Sequence, residues 1–229
     1  MLVAAVLFDL DGTLLDTLDD LADAMNATLA ELGRPGWPRE AYKRFVGDGI
    51  YTLARRVLPA DAQDEATLAA CVAGMRVQYA ARHGAKTRPY DGIVELLGTL
   101  SAAGVRLAVF SNKPDADVQQ VVPAQLPGVA FEVLLGQRDG VPVKPDPAGA
   151  LEVAQRLGLA PADIAYVGDT DTDMRCAVAA GMYPIGAAWG FRDAAELWAC
   201  GARAVADSPR HVVELLAAPL VDRGPDRNL

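Results

Sequence analysis

Short, continuously apolar runs recur along this chain, each bounded by charge or by glycine. The first, Leu2–Phe8, is rich in Val and Leu and stops at Asp9. Val105–Phe110, Val133–Gly136, Ile164–Val167, Met182–Gly186 and Ala202–Ala206 resemble it. Runs this short, with no polar alternation, read as strands buried on both faces, the kind found in parallel sheets. Between the later runs lie helical patterns, Ile93–Ala103, Pro147–Leu157 and Thr172–Ala180, followed by Gly104, Gly158 and Gly181. Glycine at that place is the left-handed cap that ends a helix. Strands and helices alternating in this way require right-handed crossovers. The expected fold class is therefore α/β, a doubly wound, Rossmann-like parallel sheet.

The interval from Thr17 to Arg88 breaks the rhythm. Leu18, Leu21, Met25, Leu29 and Leu32 recur at helical spacing, and further helical stretches follow at Arg39–Phe45, Gly49–Val57 and Glu65–Arg82. No convincing strand interrupts them. An all-helical cap over residues 17–88, inserted between the first two strands of a discontinuous core of residues 1–16 and 89–229, is the expected organisation. The polar, Pro- and Gly-bearing stretch Pro219–Leu229 is expected to fray.

With 21 basic against 30 acidic residues, the chain carries a formal charge of −9. Neither nucleic acid nor an anionic membrane suits such a surface as the main partner. Its three cysteines are far apart, and no CxxC or Cys/His ligand spacing occurs, which excludes a disulfide framework and a zinc finger and points to a reducing cytoplasm. No apolar stretch is long enough to span a bilayer, and no basic leader precedes the first run. A soluble, unexported chain, monomeric or homodimeric, is expected.

Chemistry concentrates where the strands end. Asp9-Leu10-Asp11-Gly12-Thr13 follows the first buried strand directly. Two carboxylates two residues apart then project into the crevice where open α/β sheets bind ligands, and Gly12 permits the sharp turn. An EF-hand loop is excluded because a strand, not a helix, precedes the pair. Gly168-Asp169-Thr170-Asp171-Thr172-Asp173 repeats the pattern after the Ile164–Val167 run. Asp171 is also suited to capping the helix that follows. Asp9, Asp11 and Asp169 supply hard oxygen ligands for a Mg²⁺ that retains waters and binds a phosphate. Such an ion reconciles an acidic protein with an anionic substrate. Ser111, at the end of the second strand, offers a hydroxyl to a phosphoryl oxygen, and Lys144 stands between the Ser111 strand and the Asp169 strand in chain order.

These motifs together resemble the haloacid dehalogenase superfamily. Phe8–Thr13 looks like its first motif, Val109-Phe110-Ser111-Asn112-Lys113 its second, Lys144-Pro145 its third and Gly168–Asp173 its fourth. The resemblance spans nearly the whole chain, and the helical insert looks like the family's four-helix cap. Within the family the chain is most similar to phosphoglycolate phosphatase-like enzymes, through Asp9–Thr17, Val46-Gly47-Asp48-Gly49, Ser111-Asn112-Lys113-Pro114 and Trp189-Gly190-Phe191. The resemblance implies a Mg²⁺-dependent phosphatase acting on a small phosphorylated metabolite, 2-phosphoglycolate to glycolate. Asp9 is then the nucleophile that forms an aspartyl-phosphate, and Asp11 the general acid and base. Asp9, the backbone carbonyl of Asp11 and Asp169 hold the metal, with Asp173 beside them. Ser111 and Lys144 hold the transferring group, with Gly12, Thr13 and Asn112 on the substrate side.

Asp11 argues against the dehalogenases that name the superfamily, which lack an acid at that position. Thr13 is typical of its phosphatases rather than its sugar-phosphate mutases. Gly47-Asp48-Gly49 would form a tight loop facing the substrate. Among the basic residues near it, Lys43, Arg44, Arg55 and Arg56, the expectation is that Arg44 or Arg55 meets a substrate carboxylate. Sugar phosphates, nucleotides and pyrophosphate are alternative substrates, and a phosphomutase is an alternative activity. A receiver-like module that accepts a phosphoryl group without hydrolysing it is the non-enzymatic alternative.

Overall fold

The structure, a computed structural model, describes residues 3–82 and 84–218. The expectation for Pro219–Leu229 lies outside the described residues. The chain begins with β1 (Ala5–Phe8) and the two-residue strand β2 (Leu15–Asp16). Helices α1 (Leu18–Glu31), α2 (Tyr42–Phe45), α3 (Gly49–Val57) and α4 (Glu65–Arg82) follow, and β3 (Arg88–Pro89) pairs antiparallel with β2. Helices and strands then alternate as α5 (Ile93–Ala102), β4 (Arg106–Pro114), α6 (Asp115–Gln125), β5 (Val133–Gln137), α7 (Ala148–Leu157) and β6 (Ile164–Gly168). The described chain closes with α8 (Asp171–Ala180), β7 (Tyr183–Ala187), α9 (Ala194–Ala199), β8 (Ala204–Ala206) and α10 (Pro209–Ala217).

Six strands form one parallel sheet in the order β5-β4-β1-β6-β7-β8. The apolar runs have no polar face because both of their faces are buried. Val6 and Phe8 join one core with Leu107, Val109, Ala165 and Val167, packed by α5, α6 and α10. Ala5 and Leu7 join the other with Ala108, Phe110, Ile164 and Tyr166, packed by α7 and α8. Each large aliphatic side chain so buried contributes about 1.5–3 kcal/mol. The sheet is thus the expected doubly wound α/β fold. From β1 the chain winds outward to β4 and β5, then returns to β6 on the other side of β1. The crevice above the C-terminal end of β1 is therefore the topological switch point.

Two of the departures from expectation have a plain physical reason. β4 continues past Phe110 to Pro114, with an irregular register over those residues; Ser111, Asn112 and Lys113 are polar, so the apolar run understates the strand. α6 holds Pro123 in its interior and buries only Val118 and Val122. An interior proline removes one backbone hydrogen bond, and two apolar contacts are too few to give a period.

The four helices between β2 and β3 have their own core. Leu18, Met25 and Leu29 of α1 meet Leu53 and Val57 of α3 and Met75 of α4, with Phe191 arriving from the loop after β7. The exit of this unit is fastened by Asp20, almost wholly buried in the first turn of α1. Its carboxylate accepts the N–H of Lys86 at 3.0 Å, the N–H of Thr87 at 2.8 Å and the Thr87 hydroxyl at 2.7 Å. No described helix is long and apolar enough to cross a membrane.

Candidate active site

Asp9 is the first residue past β1, and its N–H still donates to the Val167 carbonyl of β6 at 2.9 Å. The strand therefore aims its carboxylate upward from the switch point. Lys144, from the loop before α7, is 2% exposed and donates to Asp9 Oδ1 at 2.6 Å and to Asp173 Oδ1 at 2.7 Å. Asp169, the first residue past β6, accepts the Thr13 hydroxyl and the Phe191 N–H, each at 2.8 Å. Gly12 turns with φ of +97°, and a Cβ there would lie 2.3 Å from Asp169 Oδ2. Only glycine combines that backbone angle with that approach.

Asp9, Asp169 and Asp173 are all buried, and one carboxylate oxygen from each lies within 4.8 Å of the others. One ammonium, Lys144, contacts two of these three carboxyl groups, so the cluster holds more acidic groups than cationic partners. Burial raises the Asp9 carboxyl to about 7; Lys144 opposes the rise, and repulsion from Asp173 and Asp11 adds to it. Asp169 is pushed well above the usual carboxylate range by burial, then by Asp9 and Asp173, and its bonds from Phe191 and Thr13 do not offset this. Burial works against the charge on Lys144, but Asp173 and Asp9 more than compensate, and its pKa rises. Hard oxygens with unmatched negative charge are the donor set of a divalent cation such as Mg²⁺. Asp173 has the least left to offer. Its Oδ2 accepts the Thr170 N–H at 3.0 Å and the Thr170 hydroxyl at 2.6 Å, and its Oδ1 also accepts the Tyr166 hydroxyl at 3.2 Å. Asp171 lies on the outside of α8, 3.7 Å from Arg175.

The end of β4 supplies the opposite wall. Ser111 lies beside Asp9 and Asp11 in a cleft enclosing about 630 Å³ of space continuous with solvent. The Asn112 side chain donates to the Gly47 carbonyl at 2.9 Å and accepts the Lys144 N–H at 2.8 Å. Lys113, also buried, holds both Asp11 carboxylate oxygens at 3.1 and 3.2 Å. The helical unit closes the cleft with Val46, Gly47, Gly49, Ile50 and Leu53 from the α2–α3 region and Met75, Arg76 and Tyr79 from α4.

The structure thus brings Asp9, Asp169, Asp173 and Lys144 together, with Asp11, Ser111 and Asn112 along the cleft and Gly12 and Thr13 packed behind Asp169. It does not bring Arg44 or Arg55 there. Arg44 is exposed and pairs with Glu196 of α9. Arg55 is exposed on α3, because Leu53, Ala54 and Val57 turn the other face of that helix into the core. Arg56 pairs with Asp48 and donates to the Phe45 carbonyl at 3.0 Å, so it braces the loop. Lys43 pairs with Glu40 at 3.0 Å.

Sequence reasoning missed Arg76 and Tyr79 as cleft residues and assigned Lys113 no role. Arg76 and Tyr79 stand three apart on one helix face, which gives no signal until α4 is docked. Arg192 was missed as well. Its buried guanidinium donates to the carbonyls of Lys43 and Val46 and meets Glu196 at 3.1 Å, linking the loop after β7 to the helical unit.

Residues 6–187 match the family described as haloacid dehalogenase-like hydrolases. A phosphoglycolate phosphatase of Pseudomonas putida is 35% identical over 219 residues, 94% of this chain and 78% of that protein. Another, from Thiobacillus denitrificans, is 38% identical over 78% of this chain and 80% of that protein. The solved structure of a Lactobacillus delbrueckii subsp. bulgaricus protein superposes with a TM-score of 0.89 at 30% identity, covering 94% of this chain and 99% of that one. CbbY from Rhodobacter sphaeroides, solved in complex with phosphate, superposes with a TM-score of 0.76 at 26% identity, covering 92% of this chain and 96% of that one.

Proposed function

Because this chain belongs to the haloacid dehalogenase-like hydrolase family, we propose that it hydrolyses small phosphate monoesters, 2-phosphoglycolate first among them, through a phosphorylated Asp9. The observation that carries this reading is the pair Asp9 and Asp11 in one cleft, with Lys144 2.6 Å from the first and Lys113 3.1 Å from the second. Phosphoglycolate is the substrate named for the relatives at 35% and 38% identity.

In the first half-reaction an Asp9 oxygen attacks phosphorus in line, the ester P–O bond breaks, and Asp11 donates a proton to the departing oxygen. In the second, Asp11 takes a proton from water, the water oxygen attacks phosphorus, and phosphate leaves with Asp9 restored. Ser111 and Lys144 hold the phosphoryl oxygens throughout, since phosphoryl transfer depends mainly on positioning and charge. Asp9, Asp169 and the Asp11 backbone carbonyl are the ligands we assign to Mg²⁺, which when bound supplies positive charge for the phosphoryl oxygens and the Asp9 carboxylate. Asp173, whose oxygens are already engaged, orients Lys144 instead. Residues 17–88 act as the lid, excluding bulk water when shut.

The test is phosphate release from a panel of phosphate monoesters, with Mg²⁺ and with chelator, beside Asp9→Asn. Mg²⁺-dependent release that vanishes in Asp9→Asn, with phosphoglycolate preferred, is the expected result. A phosphorylated Asp9 that persists without turnover would replace the hydrolase reading with a receiver-like one.

A further inference from the structure

The α4 wall of the cleft carries polar groups that the chemistry at Asp9 leaves unused. Tyr79 lines the cleft, and its hydroxyl is shut off from solvent and makes no well-formed hydrogen bond, though the Lys113 ammonium acts on it. A buried hydroxyl in that state is costly and calls for a ligand. The exposed side chain of Arg76, three residues earlier, lines the same cleft and makes no hydrogen bond or ion pair among the described residues. Arg44 and Arg56 of the same helical unit are, by contrast, neutralised by Glu196 and Asp48. Asp117 feels the charge of Arg76 but forms no ion pair with it. Lys113 lies 4.4 Å above the Tyr79 ring, and an ammonium has three donors, of which Asp11 need not take all. Leu21, Ile50 and Leu53 are among the apolar residues lining that side.

We propose that Arg76 and Tyr79, with Lys113 beside them, form a subsite for an anionic group carried by the phosphate ester, a carboxylate in the case of 2-phosphoglycolate. A guanidinium offers two parallel donors to a carboxylate, and the Tyr79 hydroxyl offers a third. The subsite rests on the phosphatase reading above and names the feature of the substrate that its cap-side wall selects. It also replaces Arg44 and Arg55 in that role.

The experiment compares 2-phosphoglycolate with 2-hydroxyethyl phosphate, which carries a neutral hydroxymethyl group in place of the carboxylate. Calorimetric dissociation constants are measured with Mg²⁺ on protein carrying Asp9→Asn, which cannot turn either compound over. Phosphoglycolate is expected to bind at least ~10-fold more tightly, the range of a charge-assisted contact. Adding Arg76→Gln should erase the gap. Adding Tyr79→Phe, which deletes a hydroxyl that makes no well-formed hydrogen bond in the protein, should narrow it several-fold without disturbing the fold. A gap that survives Arg76→Gln overturns the subsite, and so does the absence of any gap in the Asp9→Asn protein. The fate of the phosphoglycolate reading is decided separately, by whether protein with Asp9 intact turns that compound over.

Discussion

The Asn112 side chain donates to the backbone carbonyl of Gly47 at 2.9 Å, so the end of a core strand is bonded to the loop between α2 and α3. Its carbonyl oxygen accepts the Lys144 N–H at 2.8 Å. One buried amide thus ties the loop between α2 and α3 to the backbone that carries Lys144. Asn112→Ala leaves those groups unpaired, and a loss of about 1–3 kcal/mol is expected in urea unfolding, with lower kcat/KM. Lost activity at unchanged stability would instead assign the amide to the substrate.

Asp11 serves both half-reactions in the proposed mechanism, so its removal should depend on the leaving group. Asp11→Asn is expected to lose roughly 10²–10⁴ in turnover of an alkyl phosphate, the range for general acid–base catalysis. The loss should be smaller in the first step for an aryl phosphate, whose leaving oxygen needs no proton. Phosphorylated Asp9 should then accumulate, visible as a mass increment on rapid quenching. Full activity of Asp11→Asn on an alkyl ester would remove Asp11 from the mechanism.

The sheet was legible because its strands are buried on both faces, so Leu7 and Phe8 announce themselves as apolar without regard to which side they face. The aspartate cluster was legible for a related reason. Asp9 and Asp169 directly follow such strands, and a parallel sheet carries every strand end to one edge. The α4 side of the cleft was not. Which face of α3 or α4 meets the core depends on tertiary packing, and neighbouring basic residues such as Arg55 and Arg56 do not reveal it. Arg55 points away from the helical core while Tyr79, an aromatic that reads as core filler, lines the cleft. The role of Lys113 was hidden because a lysine after Ser-Asn is unremarkable until Asp11 is placed 3.1 Å away.

The raised Asp9 carboxyl fixes the sign of a pH effect. Its pKa is about 7 in the folded protein, while an unfolded aspartate titrates near 3.9. Between those values the folded state holds a proton that the unfolded chain has released, so this group costs stability as pH rises through the window. Bound Mg²⁺ competes with that proton and offsets the charge. The melting temperature should therefore differ little between Mg²⁺ and chelator at about pH 5, and by several degrees at about pH 8. A difference that does not change with pH would mean that the cation binds elsewhere.

Lys144→Met tests the same charge balance from the other side. The ammonium contacts Asp9 and Asp173, and a methionine fills most of its volume without its charge. Removing one partner of a buried ion pair strands the other, at a cost of about 3–5 kcal/mol. That cost should appear in chelator at about pH 8, above the Asp9 pKa of about 7. It should shrink at about pH 5, where Asp9 and Asp169 take up protons more readily than an ordinary aspartate. Mg²⁺ should recover part of the loss at the higher pH. Turnover should not return with stability, because the group assigned to hold the transferring phosphoryl is gone. Urea unfolding at the two pH values, each with Mg²⁺ and with chelator, separates the explanations. An equal loss in all four conditions would mean that Lys144 contributes packing rather than charge.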